Sequence, residues 1–448
     1  MKVIFLKYPL LIFIGILVFS SCKRDKENED VDQLILVDGA DKTDSIKGNG
    51  LPDKGIVKIY FENTLSMDGY INGNTSFKDV FRELLVAVDN ESKINLETEF
   101  YLINDKLTPT NFGVKNTKIS EELTPQSTAG KGNKNSSNFE EILNTILQKQ
   151  DKNVISIIMA DFIYSPKGES NTISSLNKLR TYTKDAFLGA IEQNKTLETK
   201  IFSFKSDFKG VYYDINNKSI QGINSRPYYY FIIAPTGLMT VFTNEIAPQL
   251  KKTKGYRNEA FFTTSDYNPI STEILSSTAN KGRLRVRDEN LEIVSYPKEE
   301  NLKFIGLIDF SDIPVDNKYL TDKGNYSLSN PEFSIKGVGL KKGKNVHFEG
   351  PIVEKINAND LVSIINKKFT HAIHFEAEGM VSEGLKFALR KKIPAWVQKS
   401  HSDDDRQIYN DRLEQSKTFG LSYLIEGVLG AYLQIGNDEY FNVTISVK

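Results

Sequence analysis

The sequence predicts an α/β protein. A doubly wound, mostly parallel sheet is expected over residues 55–255. An all-β, sandwich-like part over 256–448 follows and closes with a C-terminal helix and strand. Three observations predict this. Strand and helix patterns alternate through the first half. Several strands there, above all Val154-Ile155-Ser156-Ile157-Ile158-Met159, are almost wholly apolar, as strands covered on both faces are. From about Tyr256 helical spacing gives way to strict alternation, as in Arg283-Leu284-Arg285-Val286-Arg287, with Asn, Gly and Pro between the runs.

The chain has 448 residues, 39% hydrophobic and 26% charged, enough for a sizeable core. Its net charge of −1 offers no basic excess to neutralise phosphates, which argues against a nucleic-acid partner. Cys22 is the single cysteine, so internal disulfides and cysteine-built metal sites are excluded. Met1, Lys2 and Lys7 form a basic start, and Leu10 to Phe19 are almost wholly apolar. That stretch is too short for a comfortable membrane span and reads as a secretory signal over 1–21.

Phe19-Ser20-Ser21-Cys22 resembles a lipobox, with Phe where Leu is usual. The resemblance implies lipidation of Cys22 and attachment to the outer membrane. Residues 22–54 then form an anchor and tether. The charged run Lys23 to Asp30, without apolar residues, favours disorder. Such a run this close to the lipid also resembles the surface-export signals of some Gram-negative lipoproteins.

Ile56 to Phe61 reads as a strand that breaks into Glu62-Asn63-Thr64-Leu65-Ser66-Met67 and ends at the Asp68-Gly69 turn signal. Phe77, Val80, Phe81, Leu84, Leu85 and Val88 give amphipathic helical spacing. Leu96–Ile103 is expected as a strand, 138–150 as a helix and 172–193 as mostly helical. Lys200–Phe204 and Tyr228–Ala234 follow as strands, and a short helix over 237–250 closes the unit. Two hydroxyls one residue apart can turn inward together, and a nearby carboxylate adds charge. Oxygen-only sites of that kind suit Mg²⁺, Mn²⁺ or Ca²⁺.

Three loops together resemble the metal-binding loops of the von Willebrand factor A family. Glu62, Thr64 and Ser66, with Met67 behind them, occupy the places of its Asp-x-Ser-x-Ser loop. Ser137, in Gly132-Asn133-Lys134-Asn135-Ser136-Ser137-Asn138-Phe139, stands at its Thr position. Asp161, in Ile158-Met159-Ala160-Asp161-Phe162, stands at its third-loop Asp, with Phe162 where the family has Gly. The resemblance covers about Gly55 to Leu250. It implies a divalent cation held by Glu62, Thr64, Ser66, Ser137 and Asp161, which accepts an acidic group from a protein or glycan partner.

In the second half, Phe304–Asp309 and Phe333–Val338 alternate as strands. His374, Glu376 and Glu378 are expected on a solvated strand face. Ile393–Val397 reads as an edge strand, and His401-Ser402-Asp403-Asp404-Asp405 as the acidic N-terminus of the closing helix. The aromatic runs 207–214 and 226–230 read as packing rather than as a carbohydrate platform. The first half holds no histidine and no G-x-S-x-G elbow. A binding protein is therefore expected rather than an enzyme. The alternatives are a metal-assisted phosphoryl or ester hydrolase at the same loops, and a metal-free scaffold of the cell envelope.

Overall fold

The structure, a computed structural model, describes residues 51–446 except 105, 111–115, 136–138, 165–171, 270–271, 277–282, 288–289, 296–300, 343–344, 349–367, 379–380 and 382–383. Cys22, residues 1–21 and the expected tether up to residue 50 lie outside the described residues, as does Ser137, while Lys54 at the tether's expected end already begins the first strand. Among the described residues no helix is long and apolar enough to cross a membrane.

The first half builds strands β1 (Lys54–Glu62), β2 (Asn95–Ile103), β3 (Leu107–Pro109), β4 (Val154–Ala160), β5 (Leu197–Asp207) and β6 (Ser225–Pro235). Helix α1 (Ser76–Asp89) begins at Thr75, whose side chain accepts from the Lys78 N–H. Its apolar stripe, Phe77 to Val88, is buried against the sheet as the spacing requires. Each such side chain contributes about 1.5–3 kcal/mol when fully buried. Helices α2 (Phe139–Gln148) and α3 (Thr172–Gln193) lie close to their expected bounds. Every residue of β4 is buried, so its apolar run marks a strand covered on both faces.

Strand direction is where the expectation fails. With β7 (Tyr256–Thr263), the described strands form a seven-stranded sheet in the order β3-β2-β1-β4-β6-β5-β7. Only β1 with β2 and β1 with β4 are parallel neighbours. The other four pairings are antiparallel, so the sheet is mixed and mostly antiparallel rather than mostly parallel. Burial on both faces makes a strand continuously apolar in either direction, so composition does not report direction. Connections do. Residues 208–224 between β5 and β6 form only a small hairpin and loops, with no crossover helix, and the two strands fold back on each other.

Among the described residues the remaining sheets are antiparallel, apart from a two-residue parallel pairing of His401–Ser402 with Thr418–Phe419. β8 (Thr272–Ser276), β9 (Leu302–Ile308), β10 (Tyr326–Leu328), β11 (Phe333–Lys342), β12 (Asn345–Phe348), β13 (His371–Ala377), β14 (Leu385–Arg390) and β15 (Glu439–Ile445) form two sheets, β8-β9-β13-β11-β12 and β10-β14-β15. Arg283–Arg287 pairs with Asn290–Ser295. The two sheets meet through Phe375 and Phe387, ring centroids 5.2 Å apart, and Phe310 and Phe441, 5.0 Å apart.

The expected division after residue 255 falls at the start of β7, which is the edge strand of the first sheet. Residues 49–448 make one compact unit. The C-terminal helix α5 (Leu421–Ile435) returns to the first half and packs on α3. A Cβ on Gly427 would lie 2.6 Å from the Arg180 carbonyl, so only glycine permits this helix crossing. Tyr432 Oη lies 2.8 Å from Thr199 Oγ1 on β5.

Three local expectations are corrected. Residues 393–397 are not an edge strand: Pro394 leads into a short helix, α4 (Ala395–Lys399), because its fixed φ suits a helix start. The acidic run 401–405 does not begin the closing helix. Asp405 is buried there instead, accepting from Tyr212 Oη and from the Ile215 N–H at 2.9 Å. His374 is not on a solvated face. β13 is central in its sheet and both faces are covered, so His371 and His374 are 1% and 3% exposed. The tyrosines of 226–230 are buried as packing, as the sequence reading has them.

Candidate functional site

The parallel pairing of β1 with β4 brings the candidate loops together. Phe61 lies opposite Met159, so Glu62 and Ala160 leave the sheet side by side, with Asp161 next. Thr64 Oγ1 and Ser66 Oγ are 3.1 Å apart, as two hydroxyls turned inward on one loop should be. Glu62, Thr64 and Asp161 are all buried. The second loop joins them, because the Leu65 N–H donates to the Lys134 carbonyl at 3.0 Å. Asn63 staples the two loops further, donating to the carbonyls of Lys131 at 2.9 Å and Thr128 at 3.3 Å. Sequence reasoning passed over Asn63, whose only signal was its position inside the first loop.

Asp161 is 1% exposed and ends the central strand. Its Oδ1 accepts from the Ile163 N–H at 3.2 Å. Its Oδ2 meets no hydrogen-bond partner among the described residues. Burial raises its carboxyl pKa; the Ser66 hydroxyl, the Ile163 N–H and the Arg226 guanidinium act the other way. The residue after it, Phe162, has φ 51°, in the left-handed region that favours glycine. The turn thus adopts the backbone for which the resembling family carries Gly. Phe162 holds it with a buried ring packed 4.3 Å from the Phe231 centroid.

Arg226, on β6, is the residue that sequence reasoning missed. It is fully buried, and its Nη1 donates to the Gln415 carbonyl at 3.1 Å. Its guanidinium carbon sits 4.5 Å from the Tyr212 ring centroid. Nε and Nη2 meet no partner among the described residues. It shares an electrostatic environment with Asp161, Tyr70, Tyr212 and Tyr229, and the positive charge it brings partly offsets Asp161. A second cation, Lys134, pairs with Asp68 and donates to Thr128 Oγ1 at 3.1 Å.

Thr64, Ser66 and Asp161 therefore converge with Glu62 close by, and Ser137 lies outside the described residues. Among the described residues no group of three or more His, Cys, Asp or Glu is placed to hold a metal ion. A cation here would rest on two hydroxyls and two carboxylates, a hard-oxygen set that fits Mg²⁺, Mn²⁺ or Ca²⁺. The buried Oδ2 of Asp161, without a close partner among the described residues, fits the same group, since such an atom is costly when unpaired. No protein-family model matches the chain, and no curated protein matches its sequence. Resemblance in the three loops thus rests on their residues.

Proposed function

We propose that this is a lipid-anchored, extracytoplasmic binding protein of the outer membrane. Its contact site is the loop cluster at the ends of β1 and β4, whose residues resemble von Willebrand factor A metal loops, on a mixed sheet followed by antiparallel sheets. Thr64, Ser66 and Asp161 hold a divalent cation, with Glu62 and Ser137 completing the shell. The cation leaves one position open for an acidic group of a protein or glycan partner. The observation that carries this reading is the Asp161 carboxyl, buried beside two inward-turned hydroxyls, whose Oδ2 meets no close hydrogen-bond partner among the described residues while the Ser66 hydroxyl acts on the same carboxyl.

The test is thermal melting of the full-length chain with and without Mg²⁺, Mn²⁺ or Ca²⁺. Binding to the folded state alone adds about 2.7 kcal/mol at a hundredfold excess over the dissociation constant. Asp161→Ala should abolish that response. A wild-type melt that no divalent cation moves would refute the cation reading.

Arg226 favours one second reading, a metal-free scaffold. A buried guanidinium beside Asp161 supplies internally much of the positive charge that a cation would bring. Under that reading Asp161 is structural, and the loops engage a partner through Thr64, Ser66 and the rim alone.

A further inference from the structure

Away from the loop cluster, a cavity of about 310 Å³ opens between β7, the turn Asp316–Asn325 and α4. Its volume lies at the low end of small-molecule pockets. One wall is Trp396, the chain's single tryptophan. The indole is half-buried and fixed from two sides. Its Nε1 donates to the Glu259 carbonyl at 3.0 Å, and Tyr229 backs the ring at 6.4 Å with 20° between planes. A rigid aromatic plate of this kind loses little entropy when a ligand covers it.

Charge around the cavity narrows the ligand class. Glue at the floor is already made: Glu259 is matched by Lys200 at 3.4 Å and Lys251 at 2.8 Å. Two carboxylates, Asp316 and Asp322, and two ammoniums, Lys318 and Lys399, remain among the lining residues. Their formal charges cancel, so neither an anion nor a cation gains a net Coulombic advantage. What the site does offer is a plate for an apolar ring face, with hydrogen-bonding groups of both kinds around its edge. Asn258 Oδ1 accepts from Lys318 at 3.2 Å, which leaves the Asn258 amide N–H groups as further donors.

We propose that this cavity binds one ring of a neutral saccharide, its C–H face on Trp396 and its hydroxyls on Asp316, Asn258 and Lys399. The site uses none of the residues of the loop cluster and does not depend on a cation there.

Trp396 makes the test direct, because all tryptophan emission comes from this wall. The full-length chain is titrated with maltotriose, xylotriose and triacetylchitotriose, and with inorganic phosphate as the charged comparator, each with and without EDTA. The expected result is a saturable emission change for at least one trisaccharide, unaffected by EDTA. Asp316→Asn and the exposed-rim change Lys399→Ala should each weaken it about tenfold, the loss expected for one hydrogen bond to a charged group. Because Lys399 is exposed, its variant keeps the test valid if Asp316→Asn does not fold. The proposal is overturned by no saturable change with any trisaccharide, by a response to phosphate alone, or by sugar binding that Lys399→Ala leaves unchanged.

Discussion

Replacing Arg226 by methionine tests the electrostatic account of the loop cluster most directly. The substitution keeps much of the aliphatic volume and deletes the guanidinium. It removes one charged hydrogen bond, Nη1 to the Gln415 carbonyl at 3.1 Å, a contribution of about 1.5–3 kcal/mol. It also removes the cation over the Tyr212 ring, about 2 kcal/mol when desolvated. These overlap, and Asp161 is left buried with less positive charge nearby, so the expected loss is about 3–5 kcal/mol. Asp161→Asn alone should also destabilise, because Arg226 then stays buried without its carboxylate. In the double variant the two costs should fall short of their sum by about 1–3 kcal/mol. The assay is urea unfolding of the full-length chain, with all four members of the cycle measured in one buffer.

The pH dependence has a defined sign. Asp161 has its carboxyl pKa raised by burial, and Arg226 holds part of that rise back. A raised carboxyl contributes stability below its unfolded value that is lost as pH rises through the folded one. Removing Arg226 pushes the carboxyl higher still, so the Arg226→Met penalty should grow with pH and shrink where Asp161 is protonated. The account is refuted if the two substitutions add within about 0.5 kcal/mol.

Three further outcomes are expected. Phe162→Gly should be more stable than Phe162→Ala by about 1 kcal/mol in chemical unfolding, since glycine relieves φ 51° while both lose the ring packed on Phe231. Gly427→Ala should cost about 1–3 kcal/mol by forcing α5 off the Arg180 carbonyl on α3, read as a drop in melting temperature. Burial lifts the Glu198 carboxyl from 4.5 to about 7 and drops His371 from 6.5 to about 4. The first contributes stability that is lost as pH rises from 4.5 through 7, the second stability that is lost as pH falls from 6.5 through 4. Glu198→Gln and His371→Phe should therefore change the slope of stability against pH in opposite directions, each by about 3 kcal/mol across its window.

How much of this was readable in the chain depends on how local the signal is. Helical spacing in Phe77 to Val88 and the apolar run of β4 depend only on neighbours in sequence, and both elements stand where they were expected. The first loop was readable for the same reason: Thr64 and Ser66 meet because they are two residues apart. Strand direction is not local. The run Tyr228–Ala234 reads alike whether β6 lies parallel or antiparallel to β4, and only the helix-free connection from β5 decides. Burial of a polar residue is not local either. His374 alternates with Ile373 and Phe375 as a surface residue would, yet β13 lies inside its sheet with both faces covered.

Arg226 shows the limit most clearly. Within Arg226-Pro227-Tyr228 it looks like an exposed charge on an aromatic strand. What makes it part of the site is a set of partners scattered along the chain: Asp161 at the end of β4, Tyr212 between β5 and β6, and Gln415 ahead of α5. Phe162 carries the same lesson in reverse. It departs from the glycine of the resembling family, yet the backbone there adopts the glycine-like conformation regardless. The cost of that φ, about 1–2 kcal/mol, is offset by a buried aromatic ring worth more. A substitution in a loop motif therefore tests the motif only when the backbone angle and the fate of the new side chain are weighed together. By that measure Phe162 preserves the turn that places Asp161 beside Ser66, and Arg226 becomes the residue on which the choice between a bound cation and an internal one depends.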